Sequence, residues 1–179
     1  MICDDARFIF VHVQKTGGTS IRRTLRGQFG QWTEVPIHST VIRVRALHPE
    51  KFSAYWTFGF VRNPWDQWVS WWFAHQKMRQ RFGEFHKFIE AQPWKWFGFR
   101  SCWHRLCDRD GSIIVDTIYR FESLQAAWRD ICKRLKINTP LPHLNRRNHP
   151  PYREMYDNTT RKLVARGAKG DIERWGYTF

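Results

Sequence analysis

The stretch Phe8-Ile9-Phe10-Val11-His12-Val13-Gln14-Lys15-Thr16-Gly17-Gly18-Thr19-Ser20 decides how this chain is read. Its apolar beginning predicts a buried strand, its glycine pair a turn, and Ile21 with Leu25, spaced i, i+4, the start of a helix. Such a junction turns several unpaired backbone N–H groups and the positive end of a helix dipole toward one point. Lys15 adds a full positive charge, and the hydroxyls of Thr16, Thr19 and Ser20 add donors. A phosphate or sulfate group is the natural occupant. An ordinary strand–helix turn needs one glycine, but not a lysine, two glycines and three hydroxyls together.

The order of these residues separates two kinds of anion site. A nucleoside-triphosphatase loop reads G-x-x-x-x-G-K-[ST], with the lysine after the glycines; here the lysine comes first. Ile113-Ile114-Val115-Asp116 offers a second nucleotidase-like element, an apolar strand ending in an acid that can hold a metal. Strands often leave a core at an aspartate, so that element is weak. The loop order counts against ATP or GTP hydrolysis, and a P-loop-type nucleotide kinase remains the alternative.

A second informative stretch is Tyr55-Trp56-Thr57-Phe58-Gly59-Phe60-Val61-Arg62-Asn63-Pro64-Trp65-Asp66. It reads as another buried strand ended by Arg62, with Asn63 as N-cap and Pro64 at the first helical position. Trp65, Trp68, Val69, Trp72 and Phe73 then follow at i, i+3, i+4, i+7 and i+8, the stripe of a helix packed on a core. Ser70 falls on the flank of that stripe. Arg62 at the mouth and Ser70 on the flank can clamp one phosphate; taken singly, Ser70 reads as a solvated helix serine and Arg62 reads equally as a surface arginine at a strand end.

Lys15-Thr16-Gly17-Gly18-Thr19-Ser20 and Arg62-Asn63-Pro64-Trp65 through Ser70 together resemble the two cofactor signatures of sulfotransferases that use 3′-phosphoadenosine 5′-phosphosulfate (PAPS). The wording His12-Val13-Gln14-Lys15-Thr16-Gly17-Gly18-Thr19 is especially similar to the heparan sulfate and related carbohydrate sulfotransferases and their small bacterial relatives. The likeness continues through Tyr119-Arg120-Phe121-Glu122-Ser123-Leu124, Leu141-Pro142-His143-Leu144-Asn145 and the ending Asp171 to Phe179. This resemblance implies that Lys15, Thr16, Gly17, Gly18, Thr19 and Ser20 hold the 5′-phosphosulfate. It implies that Arg62 and Ser70 hold the 3′-phosphate and that PAP is released; no metal is required where the cationic and hydroxyl donors suffice. It also implies an Arg120–Glu122 ion pair behind the site, and Asn145, Arg146 and Arg147 near the adenosine or 3′-phosphate.

Composition agrees with such an enzyme. At 179 residues the chain is read as a single domain, 1–179, with a real core. Aromatics are 17% of residues, 11 of them Trp, and much of that must be interior. No apolar run approaches the roughly 20 residues of a membrane span, and the acidic start Met1-Ile2-Cys3-Asp4-Asp5 lacks a signal pattern. A cytoplasmic protein without a membrane span is therefore expected. The net charge of +14 draws anionic ligands. It also leaves a non-catalytic, basic nucleic-acid-binding domain as a further alternative, although the basic residues form no recognisable nucleic-acid motif. Cys3, Cys102, Cys107 and Cys132 are read as reduced and mostly buried. Cys102, His104 and Cys107 are too few to complete a zinc site.

The expected architecture is α/β, a central parallel sheet covered by helices with its ligands at the carboxyl ends of the strands. The pattern predicts strands over 8–13, 56–61 and 112–120, the last after an Asp110-Gly111 turn. It predicts helices near 19–27, 39–46, 64–80, 123–135 and 152–166, and helix and loop over 82–106. Trp32, Pro36 and His38 fall in irregular chain, and 138–151 is a proline-bearing loop.

Sulfuryl transfer asks for a base near neutral pKa and for fixed donors where charge develops on the leaving phosphate. Lys15 with its loop suits the second task. For the first, His38, in a His-Ser-Thr segment like the family's helix start, is the leading candidate, followed by His48 and then His143. His12, on the buried strand, is expected to be a satisfied core histidine. The acceptor, a hydroxyl and by resemblance that of a glycan, has no code in the chain. Trp94, Trp96 and Trp103 can stack on sugars but read more readily as core.

Overall fold

The computed structural model describes residues 1–95, 101–142 and 149–179. In chain order its elements are β1 (Ile2–Cys3), β2 (Phe8–Val11), α1 (Gly18–Arg26), β3 (Trp32–Thr33), α2 (Val41–Leu47), α3 (Pro49–Ala54) and β4 (Trp56–Val61). There follow α4 (Pro64–Ala74), α5 (Gln76–Phe82), α6 (Phe85–Glu90), α7 (Cys102–Leu106), β5 (Thr117–Arg120), α8 (Leu124–Leu135), α9 (Asn158–Gly167) and α10 (Lys169–Trp175). They form two compact units, Met1–Val61 with Cys102–Asn145, and Arg62–Ser101 with Arg146–Phe179.

The first unit is built on a five-stranded sheet of order β3-β1-β2-β4-β5. Its inner strands β2, β4 and β5 run parallel, with Phe10 opposite Phe58 and Phe60 opposite Tyr119. The fully parallel sheet expected from the sequence is corrected here: β1 pairs antiparallel with both β2 and β3. Two-residue strands are too short to carry a period, which is why neither was foreseen. Alternation along the inner strands sends Phe8, Phe10, Phe58 and Phe60, all fully buried, to one face, where Ile21 and Leu25 of α1 and Trp128 and Ile131 of α8 cover them. Each such side chain contributes about 1.5–3 kcal/mol of burial. Leu106 of α7 packs against the opposite face at Gly59. Helices therefore cover both sides, as buried parallel strands require.

Asp116 stands just before β5, at the starting ends of the parallel strands. Its carboxylate accepts from the Thr57 amide at 2.7 Å and from the Thr57 hydroxyl at 2.8 Å. β5 begins only at Thr117, and Ile113 makes an isolated bridge to Cys107 instead of extending the strand. His48 is a one-residue junction between α2 and α3, with Pro49 opening the second helix.

The second unit is helical, with a core in which Trp65, Trp68, Val69 and Trp72 of α4 meet Phe85, Phe88 and Ile89 of α6 and Val164 of α9. Trp94 packs against this cluster. The single helix expected over 64–80 is two helices, broken at His75. The His75 Nδ1–H donates to the Trp71 carbonyl at 2.7 Å, and Arg79 Nη1 donates to the Trp72 and Phe73 carbonyls at 2.9 and 2.6 Å. Side chains thus take the acceptors that helix continuation would use. The helix expected over 152–166 starts later, as α9, because Asp157, not the 152 region, supplies the cap, in a capping box with Thr160; a further helix, α10, follows it where none was expected.

Candidate active site

In the first unit, the chain leaves β2 through His12 and Val13 and turns into α1. Gly17 adopts φ 78, ψ 5 as N-cap of that helix, a left-handed conformation that glycine takes without the Cβ penalty. Gly18 answers a different demand: a Cβ there would lie 2.0 Å from His12 Cδ2. The amides of Ser20 and Ile21 bond the Gly17 carbonyl at 3.1 and 3.3 Å. Among the described residues, those of Gly18 and Thr19 meet no acceptor. The Thr16 hydroxyl donates to the Val13 carbonyl at 2.9 Å, bracing the turn, while Thr19 is exposed and Ser20 buried. Lys15 is half-buried with φ +61. The unbonded amides of Gly18 and Thr19 at the start of α1, beside Lys15, can receive an anionic group.

His38 shares the left-handed backbone, at φ +61. Such conformations cost roughly 1–3 kcal/mol in a non-glycine residue and gather at functional sites. Its Nδ1 lies 3.1 Å from the His12 carbonyl oxygen. A carbonyl only accepts, so Nδ1 carries the proton and Nε2 keeps its lone pair. The segment continues into α2 through Thr40, whose hydroxyl caps the Arg43 amide, as the His-Ser-Thr wording anticipates. His38 lines an open cleft together with His12, Arg22, Glu34, Ile37 and Val44. Burial holds the His38 pKa below the ordinary imidazole value; Arg105 and Arg22 push the same way, against the hydrogen bond to His12. It is therefore a neutral imidazole at physiological pH. Glu34 is held low by its hydrogen bond from Arg26.

His12 is in the core, as expected, but is not satisfied: its buried Nδ1 has no hydrogen-bond partner. Burial first, then the proximity of His38, the N-terminal amine, Arg22 and Arg105, lowers its pKa to about 3. Arg22 and Arg105 carried no distinguishing mark in the sequence. Arg22 does stand four residues after Gly18 on α1, a spacing that puts it on the same helical face. Arg105 arrives from α7, a placement that only the tertiary fold supplies.

In the second unit, Arg62 is buried and its Nε donates to Asp66 Oδ2 at 2.8 Å. Asn63 caps α4 through the Trp65 amide at 3.1 Å and donates to the Thr178 carbonyl at 2.9 Å. Ser70, half-buried, follows Asp66 by one helical turn. Both signatures follow directly in the chain from carboxyl ends of neighbouring parallel strands, β2 and β4.

Asp116, which a nucleotidase would need for metal, is engaged by Thr57 at the opposite ends of the strands. Arg120 and Glu122 are both exposed. Cys3, Cys102 and Cys107 are buried free thiols, and Cys132 is a half-buried one. His143, Asn145, Arg146, Arg147 and Trp96 lie outside the described residues. Among the described residues, no helix is long and apolar enough to cross a membrane.

Among protein-family models, the one for the Sulfotransferase family matches residues 1–175. Compared with curated proteins, the chain has no match.

Proposed function

The chain belongs to the sulfotransferase family and is an enzyme of PAPS-dependent sulfuryl transfer, and from that premise we propose a role for each residue of the candidate site. Residues 1–179 serve one catalytic module. Lys15, the amides of Gly17 and Gly18, and Thr16, Thr19 and Ser20 hold the 5′-phosphosulfate, while Arg62 and Ser70 hold the 3′-phosphate. When bound, PAPS supplies the sulfuryl group for in-line transfer to an acceptor hydroxyl and departs as PAP. His38 Nε2 takes the hydroxyl proton as the oxygen attacks. The resulting imidazolium keeps its Nδ1–H on the His12 carbonyl, so the hydrogen bond that sets the tautomer also steadies the charged form. Lys15 faces the charge that develops on the leaving phosphate, a task donors fixed in advance perform without reorganisation. No metal enters this scheme.

The observation that carries the reading is the His38 Nδ1···His12 carbonyl contact of 3.1 Å, which leaves a neutral lone-pair nitrogen in a cleft whose wall includes the residue packed on Gly18. A carbohydrate acceptor is supported by the His12-to-Thr19 wording. The test uses the whole chain. PAP is expected to raise the melting temperature by mass action. His38→Ala is expected to keep that rise while losing sulfuryl transfer by roughly 10²–10⁴-fold, the scale of a lost general base. A rise with ATP and magnesium but none with millimolar PAP would transfer the site to a nucleotide kinase. Transfer from labelled PAPS to phenols but not to glycans would remove the carbohydrate assignment.

A further inference from the structure

The imidazole of His12 stands between the two halves of the chemistry proposed for the first unit. On one side its Cδ2 and Nε2 lie 2.0 and 2.1 Å from where a Cβ on Gly18 would be, so ring edge and turn backbone are in direct contact. On another side the His38 ring lies 4.5 Å away, centre to centre, and tilted by 59°. Behind it the Phe10 ring stacks at 5.7 Å and 17°. The His12 carbonyl holds His38 Nδ1. With only 9% of its surface exposed, the ring has little room to turn.

Stability does not explain an imidazole here. Its Nδ1 is buried without a partner, a condition that costs free energy which an apolar side chain of equal volume would avoid. Places where a sequence breaks a local rule of this kind tend to be functional. The ring has the dimensions to fill the gap that a side-chain-free Gly18 leaves, and a flat face for His38 to rest on.

We propose that His12 is a positioning residue that registers His38 against the glycine turn, so that the base and the phosphosulfate loop keep one fixed separation. The proposal rests on the reading of His38 as the base. His12 touches no reacting atom in this scheme; it acts through its neighbours. Catalytic geometry is sensitive to displacements of about 1 Å, at a cost approaching 10²-fold in rate, so a spacer shared by both groups has a measurable effect. The charged and titratable groups facing the pair are the N-terminal amine of Met1, Arg22 from α1, Arg105 from α7, and Glu34 on the cleft wall.

Long-range proton–nitrogen NMR spectra of histidine-labelled full-length protein, with and without PAP, test this directly. In the wild type, PAP should shift the ring nitrogens of His38, and His38 should show the Nδ1–H tautomer. In His12→Ala, PAP should still raise the melting temperature, but the His38 response should vanish and the tautomer should become mixed. In the same variant kcat should fall about 10- to 100-fold with little change in KM for PAPS. Gly18→Ala, which drives a methyl into the ring, should disturb the His38 tautomer although Gly18 does not carry that histidine. If His12→Ala does not fold, His12→Leu keeps the volume without the flat face and takes its place in the same comparison. An unaltered His38 response to PAP in the variant, with kcat within twofold of wild type, would overturn the proposal and leave His12 as core filling. Absence of any PAP effect on the wild type would instead overturn the site reading beneath it.

Discussion

Replacing His12 by leucine should make the protein markedly more tolerant of acid. The folded-state pKa of His12 is about 3 against 6.5 for a free imidazole, mainly because burial penalises the charged ring. A depressed pKa means that the unfolded chain binds the proton more readily. Stability from this group is thus complete above about pH 6.5, declines as pH falls, and stops declining once the folded ring protonates near pH 3. At pH 4.5 the unfolded imidazole is charged and the folded one is not. Two pH units below 6.5 weight the unfolded state by about 2.7 kcal/mol, taking 1.36 kcal/mol per unit. Leucine has nearly the same volume and no proton to bind, so it removes this penalty, and it also removes the unpartnered Nδ1. Urea unfolding of both proteins at pH 7 and pH 4.5 measures the effect. Carboxylates and the other histidines cancel in the comparison, and the wild type should lose about 2–3 kcal/mol more than the variant. Equal losses would refute the reasoning, because they would mean that the ring is hydrated or paired in the folded protein.

Lys15→Ala should abolish both the PAP-induced rise in melting temperature and sulfuryl transfer, since one cation serves binding and chemistry. Arg62→Ala should weaken PAP binding about 10- to 100-fold in calorimetry, the value of a charge-assisted contact of about 1.5–3 kcal/mol. Asn63→Ala removes the cap of α4 and the bond to Thr178. It should cost about 1–2 kcal/mol in denaturant unfolding. Asp116→Ala should cost about 1 kcal/mol through its Thr57 contacts and leave PAP affinity unchanged; a loss of PAP binding would return Asp116 to the ligand site.

The parts of this molecule that were legible in sequence are those whose physics is local. The run Phe8–Val13 followed by a glycine turn, and Asn63-Pro64 before a tryptophan stripe, each combine a period with a terminus signal, and β2–α1 and β4–α4 form where those signals point. The stripe Leu124, Ala127, Trp128, Ile131 and Leu135 likewise matches α8. What escaped notice depends on partners remote in sequence or too short to have a period. Strand β1 exists because β2 offers it an edge and β3 because β1 does, and the break at His75 depends on Arg79 reaching back to two carbonyls. Helix α9 begins with Asp157 and Thr160, a pair without the glutamate that usually betrays a capping box. At the site, His38 was identifiable as a candidate from its neighbours in sequence. Its contact with His12 spans 26 residues, and the buried orphan nitrogen of His12 has no signature in one dimension.

Thr57 and Asp116 also bear on how the protein reaches its native state. They clasp strands β4 and β5 across a sequence separation of 59, and most of the chain between them leaves the sheet-bearing unit at Arg62 and returns at Cys102. Closing so wide a loop grows costlier only logarithmically with its length, yet such distant pairings slow a folding search. The clasp therefore joins the two margins of a long excursion, and weakening it should retard refolding out of proportion to the stability it removes.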